Sequence, residues 1–303
     1  MRKETGTLPS TDGIHTLHWF ACLPDGDARA AMLIVHGMAE YKERYGKTAA
    51  DMANAGIACY CYDQLGHGQT RTDESENGFF GQKDGVKNIL NDVHAMVGLV
   101  KANHPGLKLV LLGHSMGSFI VRYYTTEFAD IDALVVSGTS GGNPGCGPGI
   151  LLCKASAKLH GPKYIDKFID GIAMGGNSSK FKDEELPEQA WLSRDIEIRK
   201  DMREKSFIFT VTGLKDMFEM LKYVSDKKWY EKYPKKIPVY LFSGSDDPIG
   251  DYGVGFMKVV NGLKDAGANI QYKLYKDGRH EMLNEINRDE VVADLVRYIE
   301  SVL

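Results

Sequence analysis

Residues 113–117 have the pattern G-x-S-x-G, centred on Ser115. The apolar run 108–112 before them is typical of a buried strand, and residues 118–124 can continue as a helix. A serine on a sharp strand-to-helix turn presents its hydroxyl at the edge of a sheet, beside helix N–H groups that favour negative charge. The pattern therefore predicts a nucleophile. Because the chain holds 33 glycines, this prediction depends on the partners that a serine nucleophile requires.

The first partner is a base. A serine hydroxyl needs a histidine to accept its proton, and the histidine needs a carboxylate that fixes its tautomer. In hydrolases with this strand–turn–helix arrangement, the acid and then the histidine follow the serine along the chain. Of nine histidines, only His160 and His280 lie downstream of the serine. No strand precedes His160, whereas His280 follows the strand-like run 270–275, so His280 is the predicted base.

The acid is expected at the end of the preceding strand. The strand-like run 238–243 leads into a loop with two aspartates, Asp246 and Asp247. Pro248 favours an extended backbone at the residue before it, away from the helical region. On this ground Asp247 is the predicted acid, and Asp246 is the alternative as a solvated loop carboxylate.

Two backbone N–H groups are candidates for an oxyanion hole. The tetrahedral intermediate of acyl transfer carries negative charge on the former carbonyl oxygen, and fixed N–H donors stabilise it. The first predicted donor is the N–H of Met116, the residue after the serine. The second is the N–H of Met38, because residues 36–40 follow an early predicted strand at 31–35.

Composition excludes several other classes of protein. The chain has 303 residues, 43% hydrophobic and 26% charged, which suits one domain with a sizeable core. A net charge of −4 offers no basic surface for nucleic acid. No apolar run approaches the ~20 residues that cross a bilayer, and no apolar segment typical of a signal peptide follows the basic residues near the start.

Motifs for other chemistries are also absent. The chain has no zinc-hydrolase, phosphate-loop or dinucleotide-binding pattern, so no cofactor and no metal are expected. The five cysteines lack metal-ligand spacing and are expected to be small buried residues. Free cysteines fit a reducing compartment, and we expect a cytoplasmic location.

Strands and helices alternate along most of the chain. This alternation predicts an α/β fold with a mostly parallel central sheet and helices on both faces. Between residues 141 and 233 the alternation stops, and so long a segment should carry its own helices. We therefore expect a core at 1–140 and 234–303, with a helical cap (lid) inserted at 141–233. The predicted strands lie near 31–35, 57–62, 108–112, 132–136, 238–243 and 270–275, and the predicted helices near 42–55, 84–103, 117–128, 252–266 and 288–302.

Five segments, taken in order, resemble the monoacylglycerol lipase and lysophospholipase-like group of α/β-hydrolases, which is classified with the serine aminopeptidase S33 family. They are the entry loop 36–45, the D-x-x-G-H-G loop 63–68, the elbow 113–118, the acid loop 244–248 and the histidine loop 278–285. The resemblance implies the α/β-hydrolase fold and a Ser115–Asp247–His280 triad. It is less specific for substrate, because the group includes lipases, esterases, thioesterases and peptidases.

Segments 191–195 and 207–221 of the expected cap also resemble this group. A cleft lined with methionine and phenylalanine would suit an acyl chain. The residues predicted to line it are Phe181, Trp191, Phe209, Met217 and Phe218. The expected partner is a small-molecule ester with an acyl chain. Transient membrane-surface contact through the cap and the oligomeric state stay open.

The resemblance implies a serine hydrolase that cleaves carboxylic esters through an acyl-enzyme. A monoacylglycerol or lysophospholipid is the leading substrate, and a smaller xenobiotic or plant-derived ester is next. Two alternatives stay open. An aminopeptidase or amidase would need a cleft acid for a free amino terminus, and a ligand-binding receptor would carry only a residual triad. The candidate acids for the first alternative are Glu40, Glu184, Glu185 and Glu188.

Overall fold

One open sheet of eight strands organises the chain, and the computed structural model describes all of residues 1–303. The strand order is β1-β2-β4-β3-β5-β6-β7-β8. The pairs from β4–β3 to β7–β8 are parallel, and β1–β2 and β2–β4 are antiparallel. The strands are β1 (Arg2–Pro9), β2 (Thr16–Leu23), β3 (Ala30–Val35), β4 (Ile57–Tyr62), β5 (Leu109–His114), β6 (Ala133–Ser137), β7 (Val239–Gly244) and β8 (Ile270–Tyr275).

Eleven α-helices accompany the sheet, with 3₁₀ turns at Lys42–Tyr45, Glu74–Glu76 and Met282–Asn284. This mostly parallel sheet with helices on both faces confirms the predicted fold class. The α-helices are α1 (Gly46–Asn54), α2 (Gly85–Asn103), α3 (Met116–Glu127), α4 (Cys146–His160), α5 (Lys167–Met174), α6 (Pro187–Ala190), α7 (Ile196–Lys205), α8 (Val211–Val224), α9 (Lys227–Lys232), α10 (Val254–Asp265) and α11 (Arg288–Val302).

Two apolar layers bury the faces of the sheet. Successive residues of β3 alternate between them: Ala31, Leu33 and Val35 join one layer, and the residues between them join the other. Helices α2, α3 and α10 pack in the first layer, and α1 and α11 pack in the second. Because both faces are covered, the central parallel strands are continuous apolar runs.

Between β6 and β7 the chain forms six helices, α4 to α9, and no strand. None of the helices of the protein combines the length and apolarity needed to span a bilayer.

Arg122 of α3 binds the chain at both ends of this helical segment. Its guanidinium donates to Thr139 Oγ1 and to the Ser140 carbonyl, both at 3.1 Å, and to the Val224 carbonyl at 2.6 Å. The guanidinium also lies 4.6 Å from the centre of the Trp229 ring. Arg122 is fully buried, and none of its hydrogen-bond partners is a carboxylate. Its charge is therefore held by carbonyl dipoles and one aromatic face.

We expect Arg122→Met to lower the free energy of unfolding by about 3–5 kcal/mol. The substitution leaves two buried carbonyls without a donor, and each orphaned group costs about 1–3 kcal/mol. The Thr139 hydroxyl keeps its hydrogen bond from the Ser118 hydroxyl. Urea unfolding followed by fluorescence measures the change. Arg297→Met is the matched control, because that side chain is 67% exposed. A loss no larger than in the control would show that these hydrogen bonds do not hold the segment.

Candidate active site

Ser115 sits on the turn that joins β5 to α3, with a φ of 53°. A non-glycine residue at positive φ is strained by about 1–3 kcal/mol and persists only where its surroundings enforce it. The flanking glycines permit that turn, because a Cβ at Gly113 would lie 2.3 Å from the Gly117 carbonyl oxygen. A Cβ at Gly117 would lie 2.1 Å from the Val35 carbonyl oxygen. The turn therefore leaves Ser115 partly exposed between buried neighbours.

Asp247 and His280 form a buried hydrogen bond of 3.0 Å between Oδ1 and Nδ1. Asp247 has no exposed surface, and its carboxylate also accepts from the Ser243 hydroxyl at 2.7 Å and the Ile249 N–H at 2.9 Å. Burial acts to raise the pKa of Asp247, but the His280 charge and these hydrogen bonds lower it below its ordinary value. The carboxylate is thus ionised and fixed against the imidazole.

The neighbouring aspartate has a different environment. Asp246 Oδ1 lies 3.3 Å from Lys180 Nζ, and both side chains are exposed to solvent. Of the two aspartates, the structure brings Asp247 to His280 and leaves Asp246 at the surface.

The His280 ring is buried between two other rings. Its centre lies 5.0 Å from that of Trp191 and 4.7 Å from that of His114, and Nε2 has no partner within the chain. Burial acts to lower the pKa of His280, but the Asp247 carboxylate raises it above its ordinary value. Burial lowers the pKa of His114 to about 4. Near neutral pH, His280 can therefore exchange a proton while His114 stays neutral.

Ser115 and His280 line one cavity of about 630 Å³, together with Met38 and Met116. The Met38 N–H makes no hydrogen bond within the chain, and Met116 is the first residue of α3, where an N–H has no intrahelical acceptor. A Cβ added to Gly37 would lie 3.0 Å from the Ser115 Cβ, so the loop that carries Met38 lies directly beside the serine. Both N–H groups are free to donate to a ligand.

Three of the five residues predicted to line a cleft line this cavity: Trp191, Met217 and Phe218. Half of the 30 lining residues are hydrophobic, so the cavity offers an apolar ligand many apolar contacts. The prediction omitted several other apolar lining residues, because sequence alone does not show which side chains of a helix or loop face the cavity. They include Phe119, Met174, Phe207, Ile208 and Leu221.

The other two, Phe181 and Phe209, lie outside the cavity. Phe181 packs beneath the Arg279 guanidinium, 4.3 Å from its ring centre. Phe209 packs edge-on against Phe80 at 5.8 Å, and a Cβ at Gly78 would lie 2.2 Å from its ring. Both residues are buried and serve packing.

A buried ionic network adjoins the site, and the sequence did not indicate it. Glu40 accepts from the Tyr45 hydroxyl at 2.7 Å, and its Oε1 lies 3.4 Å from His114 Nε2. Arg44 forms ion pairs with Glu281, which follows the base, and with Asp201 of α7. The available signal was the position of Glu40 and Arg44 in the entry loop 36–45.

The four acids considered for binding an amino terminus lie in different places. Glu40 and Glu188 line the cavity, whereas Glu184 is paired with Arg199 and Arg279 and Glu185 is exposed. No group of three or more His, Cys, Asp or Glu side chains is arranged to hold a metal ion.

Comparison with known proteins is consistent with this architecture. The model of the family described as "Serine aminopeptidase, S33" matches residues 26–287. A monoacylglycerol lipase of Mycolicibacterium smegmatis is 33% identical over 116 residues, which is 38% of this chain and 39% of that lipase. A monoglyceride lipase homolog of monkeypox virus is 23% identical over 292 residues, covering 96% and 94% of the two chains.

Solved structures share the whole fold. A thermostable carboxyl esterase from Bacillus coagulans, crystallised with glycerol, has a TM-score of 0.92 at 27% identity, covering 100% of this chain and 99% of the esterase. A monoglyceride lipase from Saccharomyces cerevisiae has a TM-score of 0.78 at 17% identity, covering 100% and 96%, and this likeness shows the fold alone. The family match covers most of the chain. The protein belongs to the serine aminopeptidase S33 family and is an α/β-hydrolase of the monoglyceride-lipase-like group.

Proposed function

We propose that this protein is a carboxylic ester hydrolase that works through an acyl-enzyme on Ser115. The observation that carries the proposal is the buried Asp247–His280 pair on the same cavity as a strained, partly exposed serine. A nucleophile, a base and an orienting acid are the groups that acyl transfer requires. The carboxyl esterase and lipases among the similar proteins support an ester as the substrate.

In the proposed mechanism, Ser115 Oγ attacks the acyl carbon while His280 Nε2 takes its proton. Asp247 holds the imidazole by Nδ1 and stabilises the imidazolium. The N–H groups of Met38 and Met116 donate to the oxyanion. The C–O bond to the leaving alcohol then breaks, and His280 returns the proton to that oxygen. Water, deprotonated by the same histidine, attacks the acyl-enzyme. The bond to Ser115 Oγ breaks, His280 returns the proton to that oxygen, and the acid leaves.

We further propose that residues 141–233 form a cap over a core of residues 1–140 and 234–303. The serine, the base and the acid all come from the proposed core, whereas much of the remaining cavity wall, from Asn143 to Leu221, comes from the proposed cap. The apolar half of the wall is suited to an acyl chain, so a monoacylglycerol or lysophospholipid is the proposed substrate class.

Steady-state hydrolysis of p-nitrophenyl esters from acetyl to palmitoyl tests this function. We expect multiple turnovers, with kcat/KM rising beyond acetyl as the chain fills the cavity. A rate that is highest at acetyl and falls steadily to decanoyl would refute the acyl pocket. Turnover of aminoacyl anilides without turnover of any ester would instead favour the aminopeptidase. Slow single turnover with retained ligand would favour the receptor.

The pH profile is expected to report His280. The base must be neutral to accept the serine proton, so kcat/KM should rise with pH through the His280 pKa and level off above it. Because Asp247 raises that pKa, the midpoint of the increase in kcat/KM should lie at a pH above the ordinary pKa of histidine. A profile for a neutral ester between pH 4 and 9 measures it. Activity that is constant across this range would contradict His280 as the base.

We also propose that α4 and α5 touch anionic lipid surfaces transiently. Four large apolar side chains are at least 63% exposed on these helices: Leu151, Leu159, Phe168 and Ile172. Exposed apolar side chains that are grouped on neighbouring helices, rather than scattered singly, mark an interaction site. Exposed lysines alternate with these residues in sequence and could bind anionic headgroups: Lys154, Lys158 and Lys167.

Sedimentation with vesicles of phosphatidylcholine and 30% phosphatidylserine tests this contact. We expect Leu159→Asp with Phe168→Asp to reduce the bound fraction at least about fivefold, because two exposed apolar anchors are replaced by negative charge. The pair Val254→Asp with Ile286→Asp is the control, since those apolar residues are equally exposed on other elements. Equal losses in both pairs would contradict a specific patch.

A further inference from the structure

The charged residues that line the cavity are all acidic apart from the base. They are Glu40, Asp170, Glu188 and Glu281, and no lysine or arginine lines the cavity. Two of these carboxylates have hydrogen-bond or ion-pair partners within the chain. Arg44 pairs with Glu281, and hydrogen bonds from Tyr45 and the Gly37 N–H hold Glu40.

The other two carboxylates, half-buried Asp170 of α5 and solvent-exposed Glu188 of α6, have no partner within the chain. Neither makes an ion pair or a side-chain hydrogen bond with any residue of the chain. Burial raises the pKa of Asp170 above its ordinary value, and no partner offsets that effect. The Asp170 carboxylate is thus partly desolvated without compensation inside the protein. A positively charged ligand group would supply that compensation.

A second observation also points to a ligand at this wall. Glu281 is only 2% exposed, yet its Oε1 has no hydrogen-bond partner. Buried carboxylate oxygens normally find a donor, so each exception requires an explanation. Glu281 lines the cavity beside His280, where a bound ligand would lie.

Aromatic rings supply further affinity for a cation. Phe119, Trp191, Phe207 and Phe218 all line the cavity. Aromatic faces attract an ammonium group within about 6 Å, and carboxylates with aromatic rings are the chemistry that recognises quaternary ammonium ligands. An anionic headgroup would meet the same carboxylates without a single lysine or arginine to offset them.

We infer that the cavity selects its ester by charge, with Asp170 and Glu188 as specificity-determining residues: cationic esters are preferred, neutral ones are accepted and anionic ones are excluded. The inference rests on the proposed ester hydrolysis and deepens it. Among lysophospholipids and related lipids, it favours uncharged or ammonium-bearing headgroups over net anionic ones. It also explains how the carboxylate product would leave, since like charges repel it from the wall.

Three butyrate esters of matched shape test the inference. Their alcohols share a two-carbon linker and end in trimethylammonium (choline), tert-butyl (3,3-dimethylbutanol) or sulfonate (2-sulfoethanol). We expect kcat/KM to fall in that order, with the choline ester at least about tenfold above the sulfonate ester. Added salt should lower the ratio of kcat/KM for the choline ester to that for the sulfonate ester, because it screens the carboxylates.

In the double variant Asp170→Asn with Glu188→Gln, the ratio of kcat/KM for the choline ester to that for the sulfonate ester should approach one. Asp183→Asn is the matched control, because Asp183 is exposed on the same segment and does not line the cavity. We expect it to keep the wild-type ratio. Competition by tetramethylammonium against the neutral ester, which tert-butanol should not match, provides a second readout in the wild-type protein.

The outcomes separate the two claims. Turnover of all three esters at equal rates, or a sulfonate ester faster than the choline ester, would overturn charge selection and leave ester hydrolysis intact. A double variant that keeps the full wild-type ratio would overturn the role of Asp170 and Glu188. Failure to turn over even the neutral ester would overturn the proposed function itself.

Discussion

Ser115→Ala is expected to reduce kcat for ester hydrolysis by about 10⁴-fold or more, because no other group can form the acyl-enzyme. The loss should come without unfolding. Alanine keeps the Cβ, and therefore keeps the strain of the positive φ at this turn. Steady-state kinetics with a p-nitrophenyl ester and urea unfolding measure the two effects.

Ser115→Gly distinguishes chemistry from backbone strain at the same position. Glycine adopts positive φ without penalty, so we expect equal loss of activity with a gain of about 1 kcal/mol in the free energy of unfolding. Retention of more than about a tenth of wild-type kcat by the alanine variant would contradict the assignment of the nucleophile.

Asp247→Asn has the second largest expected effect, a fall in kcat of about 10³–10⁴-fold. Asparagine would preserve the shape of the site, but its amide can donate to His280 Nδ1 and favour the tautomer that leaves a proton on Nε2. The acid also raises the pKa of His280. Its loss should therefore move the rise of the residual activity to lower pH, since burial is then opposed only by the charges of Glu281 and Glu40.

Asp246→Asn is the matched control, because it is the same substitution at the neighbouring residue, in different surroundings. Its carboxylate lies 3.3 Å from Lys180 Nζ at the surface, and an exposed ion pair contributes about 0–1 kcal/mol. We expect its kcat to stay within about twofold of the wild type. If Asp246→Asn lost more activity than Asp247→Asn, the acid would be misassigned.

The central strands could be predicted from sequence because they are buried on both faces. Strands such as β3 and β5 are short apolar runs next to loops that carry the motifs, and each was placed within one or two residues. Strands β1 and β2 were missed. β1 is an edge strand with most of its side chains exposed, so its sequence lacks the apolar pattern on which strand prediction depends.

The candidate site was predictable to the extent that its chemistry depends on local sequence. The order of Ser115, Asp247 and His280 along the chain follows from how the fold places loops at one edge of the sheet. The cavity wall was harder, because it is built from several short helices whose mutual orientation is a tertiary property. Phe209 and Met217 are both large apolar residues of the segment 207–221, yet only Met217 lines the cavity.

The partners of the arginines that join the helical segment to the rest of the chain could not be predicted from sequence. Arg44 reaches Asp201, more than 150 positions away in sequence. Arg122 donates to the Val224 carbonyl, which is 102 positions away in sequence. Buried charges are rare unless paired, but a sequence does not show which arginine will be buried.

Rapid-quench mass spectrometry of the protein mixed with a p-nitrophenyl ester tests the central claim most directly. We expect a transient mass increase equal to the acyl group, located on the peptide that contains Ser115 and decaying as the acid is released. The Ser115→Ala variant should show none. Acylation of another residue, or full turnover with no covalent intermediate at any time, would contradict the account.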